Sequence, residues 1–225
     1  MPGGYHLNGR RYRAESLRSA RGRKISSTRW LQRQLNDPFV KEARALGYRS
    51  RAVFKIMQID QKYRIFKKGQ RVMDLGSAPG GWSQLAASAV GHGNVFALDL
   101  VEMAPIEGVE FVRGDFLDQR IRANLEARMG KAKFNVVMND MAPNLSGDQK
   151  TDHSRVIELL EQALDFAQEI LMVGGTFIGK LLHGREEQRL VSEIKKHFEK
   201  VDYFKPESSR KDSSEIYVIA QRFRL

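Results

Sequence analysis

Around residue 71 the chain runs a short apolar segment, Arg71-Val-Met-Asp74-Leu-Gly76, into a glycine-rich turn and then into a helix-like stretch over residues 81–90. No other feature limits the fold as much. A buried strand feeding a helix through glycines opens a βαβ unit, and the same alternation continues down the chain. Residues 95–99, 110–115, 134–138 and 176–182 read as further strands. Phe134-Asn-Val-Val-Met138 is nearly all apolar, as a strand covered on both faces should be. Residues 152–172 form the clearest helical pattern. Val156, Leu159, Leu160, Ala163, Leu164, Ala167, Ile170 and Leu171 trace one face, and Gly174-Gly175 is expected to end it. Residues 50–65 carry Val53, Ile56, Met57 and Ile59 at helical spacing, with Ser50 as a candidate N-cap. Residues 186–198 predict another helix. Residues 201–204 and 215–223 follow without a helix between them and suit an antiparallel hairpin. The expected fold is α/β: a doubly wound, mostly parallel sheet with helices on both faces and a C-terminal antiparallel hairpin.

The net charge of +11 is unevenly spread. Residues 1–36 hold nine Lys/Arg (Arg10, Arg11, Arg13, Arg18, Arg21, Arg23, Lys24, Arg29 and Arg33) against a single acid, Glu15. The expected organisation is therefore a basic, flexible extension over residues 1–36 and one catalytic domain over residues 37–225. An Arg-, Ser- and Gly-rich segment packs poorly alone and suits a polyanion. A solvated extension without a task, or an Arg-rich presequence, are its alternatives, although the opening residues lack an amphipathic helical pattern. With 41% hydrophobic residues the remainder can bury a core. The chain has no cysteine, which excludes disulfides and thiolate metal sites and fits a reducing cytoplasm. No apolar run reaches membrane-spanning length. The five histidines (His6, His92, His153, His183 and His197) lack metal-ligand spacing, so no metal is expected. We expect a monomer in the cytoplasm.

The loop Asp74-Leu-Gly76-Ser-Ala-Pro-Gly80-Gly81-Trp82 sits where a doubly wound sheet binds ligands, beyond the carboxyl end of a strand. Its glycines allow close approach to the backbone, and the following helix offers free N–H groups. The spacing is neither G-x-G-x-x-G nor a Walker Gly-Lys-Ser/Thr, which disfavours a nicotinamide oxidoreductase. Acids also close successive strands: Asp74, Asp99, Asp115 and Asp140. An acid after the second strand suits a ribose diol. Several carboxylates around one pocket suit a cation and would repel a pyrophosphate. S-adenosylmethionine, with a sulfonium, an ammonium and a ribose, meets those demands. Each acid taken singly reads equally well as a helix cap or turn residue, and Trp82 equally well as core.

The chain resembles the FtsJ family of 2′-O-ribose methyltransferases over about residues 27 to 223. The resemblance rests on Ser50-Arg-Ala-Val-Phe-Lys55, Asp74-Leu-Gly-Ser-Ala-Pro-Gly-Gly-Trp-Ser83, Ala97-Leu-Asp99-Leu, Gly114-Asp115-Phe, Asp140-Met-Ala-Pro-Asn144, Lys180, and Ser208-Ser209-Arg210 leading to Glu215-Ile-Tyr217. It departs at Ser77, where Ala is expected. The resemblance implies a Rossmann-like fold and a catalytic tetrad on Lys55, Asp140, Lys180 and Glu215. It places cofactor contacts on Gly80, Trp82, Asp99, Asp115 and Asp140. Asp74, Gly76 and Gly81 join that set from their place in the loop. It also implies S-adenosylmethionine as methyl donor and large-subunit ribosomal RNA, free or in a pre-formed subunit, as partner. A uridine ribose is the expected target, in support of ribosome assembly. Transfer RNA, an mRNA cap, and a non-catalytic role in ribosome assembly stand as alternatives.

Chemistry of this kind needs an aligned oxygen, carbon and sulfur. Lys180 is then either the base, if Lys55 and burial lower its pKa, or a charged group that orients the ribose oxygen, if Asp140 and Glu215 keep it protonated. RNA contacts are expected mainly at phosphates, from Arg49, Arg51, Arg210 and Lys211. Tyr48 and Phe54 are candidates for stacking on a base, with core packing the preferred reading of both.

Overall fold

In a computed structural model of the chain, residues 15–17, 19, 22, 25–143, 148–182, 187–210 and 213–225 are described. The expectations on Asn144, His183, Lys211, His6 and most of the basic N-terminal segment fall outside them.

Three helices come first: α1 (Ile25–Asn36), α2 (Pro38–Ala45) and α3 (Val53–Tyr63). The alternating part follows as β1 (Val72–Leu75), α4 (Gly81–Val90), β2 (Val95–Asp99), β3 (Val109–Arg113), α5 (Gln119–Met129), β4 (Phe134–Asn139), α6 (Gln149–Ile170) and β5 (Leu171–Leu182). The chain closes with α7 (Glu187–His197), β6 (Phe198–Phe204) and β7 (Glu215–Phe223). The strands form one sheet in the order β3-β2-β1-β4-β5-β7-β6. The five strands from β3 to β5 are parallel to their neighbours, and β7 pairs antiparallel with both β5 and β6. The doubly wound sheet and its terminal hairpin are as expected.

Both faces of the sheet are covered, because alternate strand residues point to opposite sides. On one side Leu160, Leu164 and Phe166 of α6, Leu125 of α5 and Ile194 of α7 pack on Met73, Leu75, Val137 and Phe177. On the other, Ile56 and Ile59 of α3 and Trp82 and Ala86 of α4 pack on Val72, Val136, Met138 and Tyr217. Full burial of such side chains stabilises the fold by roughly 1.5–3 kcal/mol each. Asp74 shares the Val72 side of β1 by the same alternation, so its carboxylate enters the core beneath α4.

The chain runs β1, β2, β3 in one direction and then returns to β4 beside β1, so the order reverses between β1 and β4. Gly76 lies at that crevice with φ +78°, and a Cβ there would stand 2.6 Å from the Met141 backbone nitrogen. Only glycine combines that conformation with so close a crossing.

Two local expectations are corrected. Ser50 is not the side-chain cap of α3: Ala52 precedes the helix without a side-chain cap, and Val53 N–H donates to the Ser50 backbone oxygen. Ser50 Oγ instead lies 2.5 Å from where a Gly81 Cβ would be, so it explains the glycine rather than the helix start. Gly174-Gly175 does not end α6. The helix stops at Ile170 and β5 begins at once. β5 bulges between Leu171 and Thr176, the partners of Phe134 and Val136, and the two glycines lie in that bulge. Within the basic N-terminal segment, Ile25–Asn36 forms helix α1. The 15–17 segment lies against it: Glu15 N–H donates to Asn36 Oδ1 and Leu17 N–H to Gln32 Oε1. Helix α2 had a legible signal in Asp37-Pro38, with Asp37 accepting from Phe39 N–H and Pro38 in the first turn.

Candidate active site

Four elements carry the predicted tetrad to one place. Asp140 is the first residue beyond β4, fixed by its N–H donating to Leu75 O at 2.9 Å. Lys180 lies on β5 and Glu215 at the start of β7, and the antiparallel register sets Leu182 opposite Glu215 and Lys180 opposite Tyr217. Cross-strand partners share a face, so Lys180 and Tyr217 rise side by side. Lys55 comes from the first turn of α3, which packs on the Tyr217 side of the sheet.

The four side chains, together with Tyr217, form a continuous chain of contacts. Lys180 Nζ donates to the Asp140 backbone oxygen at 2.6 Å and stands 3.2 Å from Asp140 Oδ1. Tyr217 Oη donates to Asp140 Oδ1 at 2.9 Å. Lys55 Nζ donates to Tyr217 Oη at 3.1 Å and to Glu215 Oε2 at 2.9 Å. Burial would push the Asp140 carboxyl up, but Lys180, Lys55 and the Tyr217 hydroxyl outweigh it and hold the carboxyl below its usual range. Burial first, then the Asp140 and Glu215 carboxylates, push the Tyr217 hydroxyl well above the ordinary phenol range. Tyr217 is thus a neutral donor to an ionised acid. The sequence reading quoted Tyr217 only as part of a motif. Its place two residues from Glu215, on the same strand face, was the signal available.

Two hollows flank this chain and have opposite character. The first, about 440 Å³, is lined by Gly76, Asp99, Leu100, Asp115, Phe116, Leu117, Asp140 and Met141 on the strand side and by Arg155 and Glu158 of α6. The second, about 370 Å³, is lined by Arg33, Arg51, Ala52, Lys55, Arg210, Ser213 and Glu215. Asp140 borders the first, and Lys55 and Glu215 border the second.

Asp99 and Asp115, at two of the strand ends, make backbone contacts and also border the cavity. Asp99 Oδ1 accepts from Val101 N–H and Asp99 Oδ2 from Ala78 N–H, both at 2.8 Å. Asp115 Oδ1 accepts from Leu117 N–H at 2.9 Å. The Val101 and Leu117 contacts form turns and the Ala78 contact ties the loop after β1 to the end of β2, yet a carboxyl group has more acceptor positions than these contacts use. Asp74 differs from the other three. It is fully buried and does not line the cavity. Ser83 Oγ donates to Asp74 Oδ2 at 2.5 Å, while Oδ1 has no hydrogen-bond partner among the described residues. Burial pushes its carboxyl up to about 7, against the Ser83 hydrogen bond and with help from Asp140 and Asp99.

Gly80, Gly81 and Trp82 also stand outside the cavity wall. Gly80 precedes α4 with φ 108°, and Gly81 and Trp82 form the first turn. Trp82 is core: its Nε1–H donates to Ala52 O at 2.9 Å and its ring packs 5.6 Å from that of Tyr217. Ser77 is buried, with its Oγ 3.9 Å from Met103 Sδ, so the extra oxygen fits.

Arg49 is not a free phosphate ligand. Its guanidinium donates to the backbone oxygens of Ala104, Pro105 (2.6 Å) and Pro79 (3.5 Å), tying the loop before α4 to the loop after β2. Arg51 donates to Asp37 Oδ2 and to Ser208 O, and Arg210 lies 3.9 Å from the same Asp37 oxygen. Phe54 is buried against Phe39, with ring centroids 5.3 Å apart, and Tyr48 packs on the same cluster. Among the described residues, no group of His, Asp and Glu is arranged to hold a metal, and no helix is long and apolar enough to cross a membrane.

Comparison with known proteins agrees with this geometry. Residues 48–223 match the model of the FtsJ-like methyltransferase family. The ribosomal RNA large subunit methyltransferase E of Bradyrhizobium diazoefficiens is 50% identical over 206 residues, covering 90% of this chain and 90% of that protein. The protein of the same name from Granulibacter bethesdensis is 47% identical over 216 residues, covering 96% and 93%. Among solved structures, a protein from Plasmodium falciparum described as a ribosomal RNA methyltransferase superposes with a TM-score of 0.70 at 27% identity, covering 78% of this chain and 98% of that one. With the match spanning the whole sheet and every residue of the contact chain from Lys55 to Tyr217, the chain belongs to the FtsJ-like methyltransferase family.

Proposed function

We propose that this protein methylates the 2′-hydroxyl of a ribose in large-subunit ribosomal RNA, at a uridine, with S-adenosylmethionine as donor. One observation carries the reading: Lys55, Asp140, Lys180 and Glu215 stand in contact between an acidic cavity and a basic cleft. An acidic cavity favours a cation and a basic cleft favours a polyanion. The names of the relatives support ribosomal RNA as the polyanion.

The cavity fits the donor in size and charge. At about 440 Å³ it falls within the range of small-molecule sites. Asp99 is suited to the ribose diol, and Asp115 borders the same space beside the apolar Phe116 and Leu117, which suit a purine ring. Gly76 would bring backbone to the donor, while Gly80, Gly81 and Trp82 hold the start of α4 behind the cavity wall and Asp74 would act from below through Ser83 and α4. When bound, S-adenosylmethionine supplies an electrophilic methyl carbon whose bond to sulfur breaks as the 2′-oxygen bonds to it.

The chain's own residues align and desolvate the oxygen. Lys180 spends two of its three ammonium donors on Asp140. Among the described residues the third has no partner, and it can hold the ribose oxygen with a lone pair toward the cavity. This favours Lys180 as a charged orienting group over Lys180 as the base. Lys55 and Glu215, held to each other, grip the ribose from the cleft side. Arg33 and Arg210 lie where the adjoining phosphates would pass, and the basic residues of 1–36 would add contacts along the strand. Residues 37–225 constitute the methyltransferase domain in this reading.

The test is incubation of ribosomal subunits and of naked ribosomal RNA with methyl-labelled cofactor, followed by mapping of the modified nucleoside. A 2′-O-methyluridine in large-subunit RNA is expected. Label appearing only in transfer RNA or capped mRNA, or in no RNA, would refute the substrate assignment.

A further inference from the structure

We propose that Tyr217 is a positioning residue of the methyl-transfer centre: its hydroxyl pins Asp140 to Lys55, so that the acid at the donor cavity and the Lys55–Glu215 pair at the basic cleft keep one fixed geometry. This inference rests on the functional reading above and adds a fifth member to the four residues it uses.

Three independent observations carry it. The first is connectivity. Lys180 contacts Asp140, and Lys55 contacts Glu215, but the hydroxyl of Tyr217 is what joins the two pairs, donating to Asp140 Oδ1 at 2.9 Å and accepting from Lys55 Nζ at 3.1 Å. A phenol can donate once and accept at the same time, so both contacts are satisfied together. The second is rigidity. Tyr217 is fully buried on β7, in register with Lys180, and its ring is packed by Trp82 of α4 and lies 5.6 Å from the Lys55 ammonium. A hydroxyl mounted on so constrained a ring has no alternative position. The third is charge. Asp140 faces Lys180 from β5, Lys55 from α3 and Asp74 from β1; Asp99, Asp115, Arg155 and Glu158 line the same cavity, and Glu215 of β7 reaches Asp140 only through Lys55 and Tyr217. Tyr217 is the neutral member of this set and gives Asp140 a hydrogen bond without adding to the competition among charges.

Such a residue acts through Asp140 and Lys55 and need not touch the substrate. Its removal should misalign both without emptying either hollow. The effect then falls on the chemical step and on the ionisation of Asp140, and spares RNA binding.

The experiment compares wild type with Tyr217→Phe. Single-turnover methyl transfer should slow about ten- to a hundredfold, with KM for RNA within about threefold. The Asp140 ionisation midpoint should rise by roughly one to two pH units, the equivalent of one hydrogen bond to a charged group. That midpoint is read by 13C NMR of aspartate-labelled protein, with the resonance identified by its loss in Asp140→Asn. Incorporation of 3-fluorotyrosine at 217 keeps the ring and makes the phenol a stronger donor, so the midpoint should move the opposite way; it also decides the matter if Tyr217→Phe does not fold. Opposite shifts support the proposal. An unmoved midpoint in both proteins, with active wild type, overturns it while leaving the functional reading intact. A wild type that titrates as expected yet methylates no RNA overturns the functional reading instead.

Discussion

Lys180 Nζ lies 2.6 Å from the backbone oxygen of Asp140 and 3.2 Å from its Oδ1, so one lysine reads both ends of one residue at the tip of β4. This double contact fixes where a third donor of Lys180 can point. Preorganised donors of this kind carry large shares of a barrier. Lys180→Met should therefore lower the single-turnover rate about 10²- to 10³-fold while changing cofactor affinity by less than about fivefold. Rapid-quench transfer of labelled methyl and calorimetric titration with cofactor check the two halves. A near-normal rate would remove Lys180 from the centre.

Asp74 gives a stability prediction with a definite sign. Its carboxyl is pushed up from 3.8 to about 7 by burial, so between those values the folded protein holds a proton that the unfolded chain has released. Folding then becomes less favourable as pH rises through that window, and the loss levels off above about 7. Asp74→Asn keeps an acceptor for Ser83 Oγ and removes the titration. Measured by denaturant unfolding, the variant should gain on wild type steadily from pH 4 to 7 and hold a constant difference above that, up to roughly 4 kcal/mol. A difference that is flat across the window would contradict the assignment.

Arg49 ties Pro79, in the loop before α4, to Ala104 and Pro105, in the loop after β2. Both loops adjoin the acidic cavity proposed for the cofactor. Arg49→Gln should weaken cofactor binding about tenfold, near 1.4 kcal/mol, with kcat at saturating cofactor within about threefold of wild type. Steady-state kinetics over a cofactor series separates the two effects. A pure loss of RNA affinity would return Arg49 to the phosphate-binding role expected from sequence.

Arg210 and Arg51 should behave differently although both line the basic cleft. Arg210 lies 3.9 Å from Asp37, a loose pair, and its loss should weaken RNA binding and lower the slope of log affinity against log salt by about 0.7 to 1. Arg51 is bound to Asp37 and to the Ser208 backbone, so Arg51→Gln leaves both acceptors without their donor and should cost stability as well as affinity. Filter binding at several salt concentrations, beside thermal unfolding, tells them apart.

The convergence of the candidate residues is legible in the sequence. Lys55, Asp140, Lys180 and Glu215 converge, and Asp99, Asp115 and Asp140 border one cavity, because motifs at strand ends in a doubly wound sheet must meet at one edge. Asp74 was grouped with them for the same reason. Strand alternation sends it instead into the core beside Ser83, a distinction that depends on which face of β1 meets α4. From sequence Arg49 is a candidate phosphate ligand; the approach of the loop at residues 104–105 gives its guanidinium backbone partners instead.

By itself, then, the sequence determined the order of strands and helices, the doubly wound sheet and the residue types at its carboxyl edge, since these follow from local periodicity and from glycines that tolerate close backbone approach. The tertiary structure decided the register of β5 against β7, which sets Tyr217 beside Lys180, and the approach of α3, which brings Lys55 to that hydroxyl. Contacts between residues 55 and 217 have no local signature. They exist because burying the two faces of one sheet leaves the chain a single compact way to stack α3 and α4 over the strands, and that packing, with no contribution from propensity, sets the distances on which the chemistry depends.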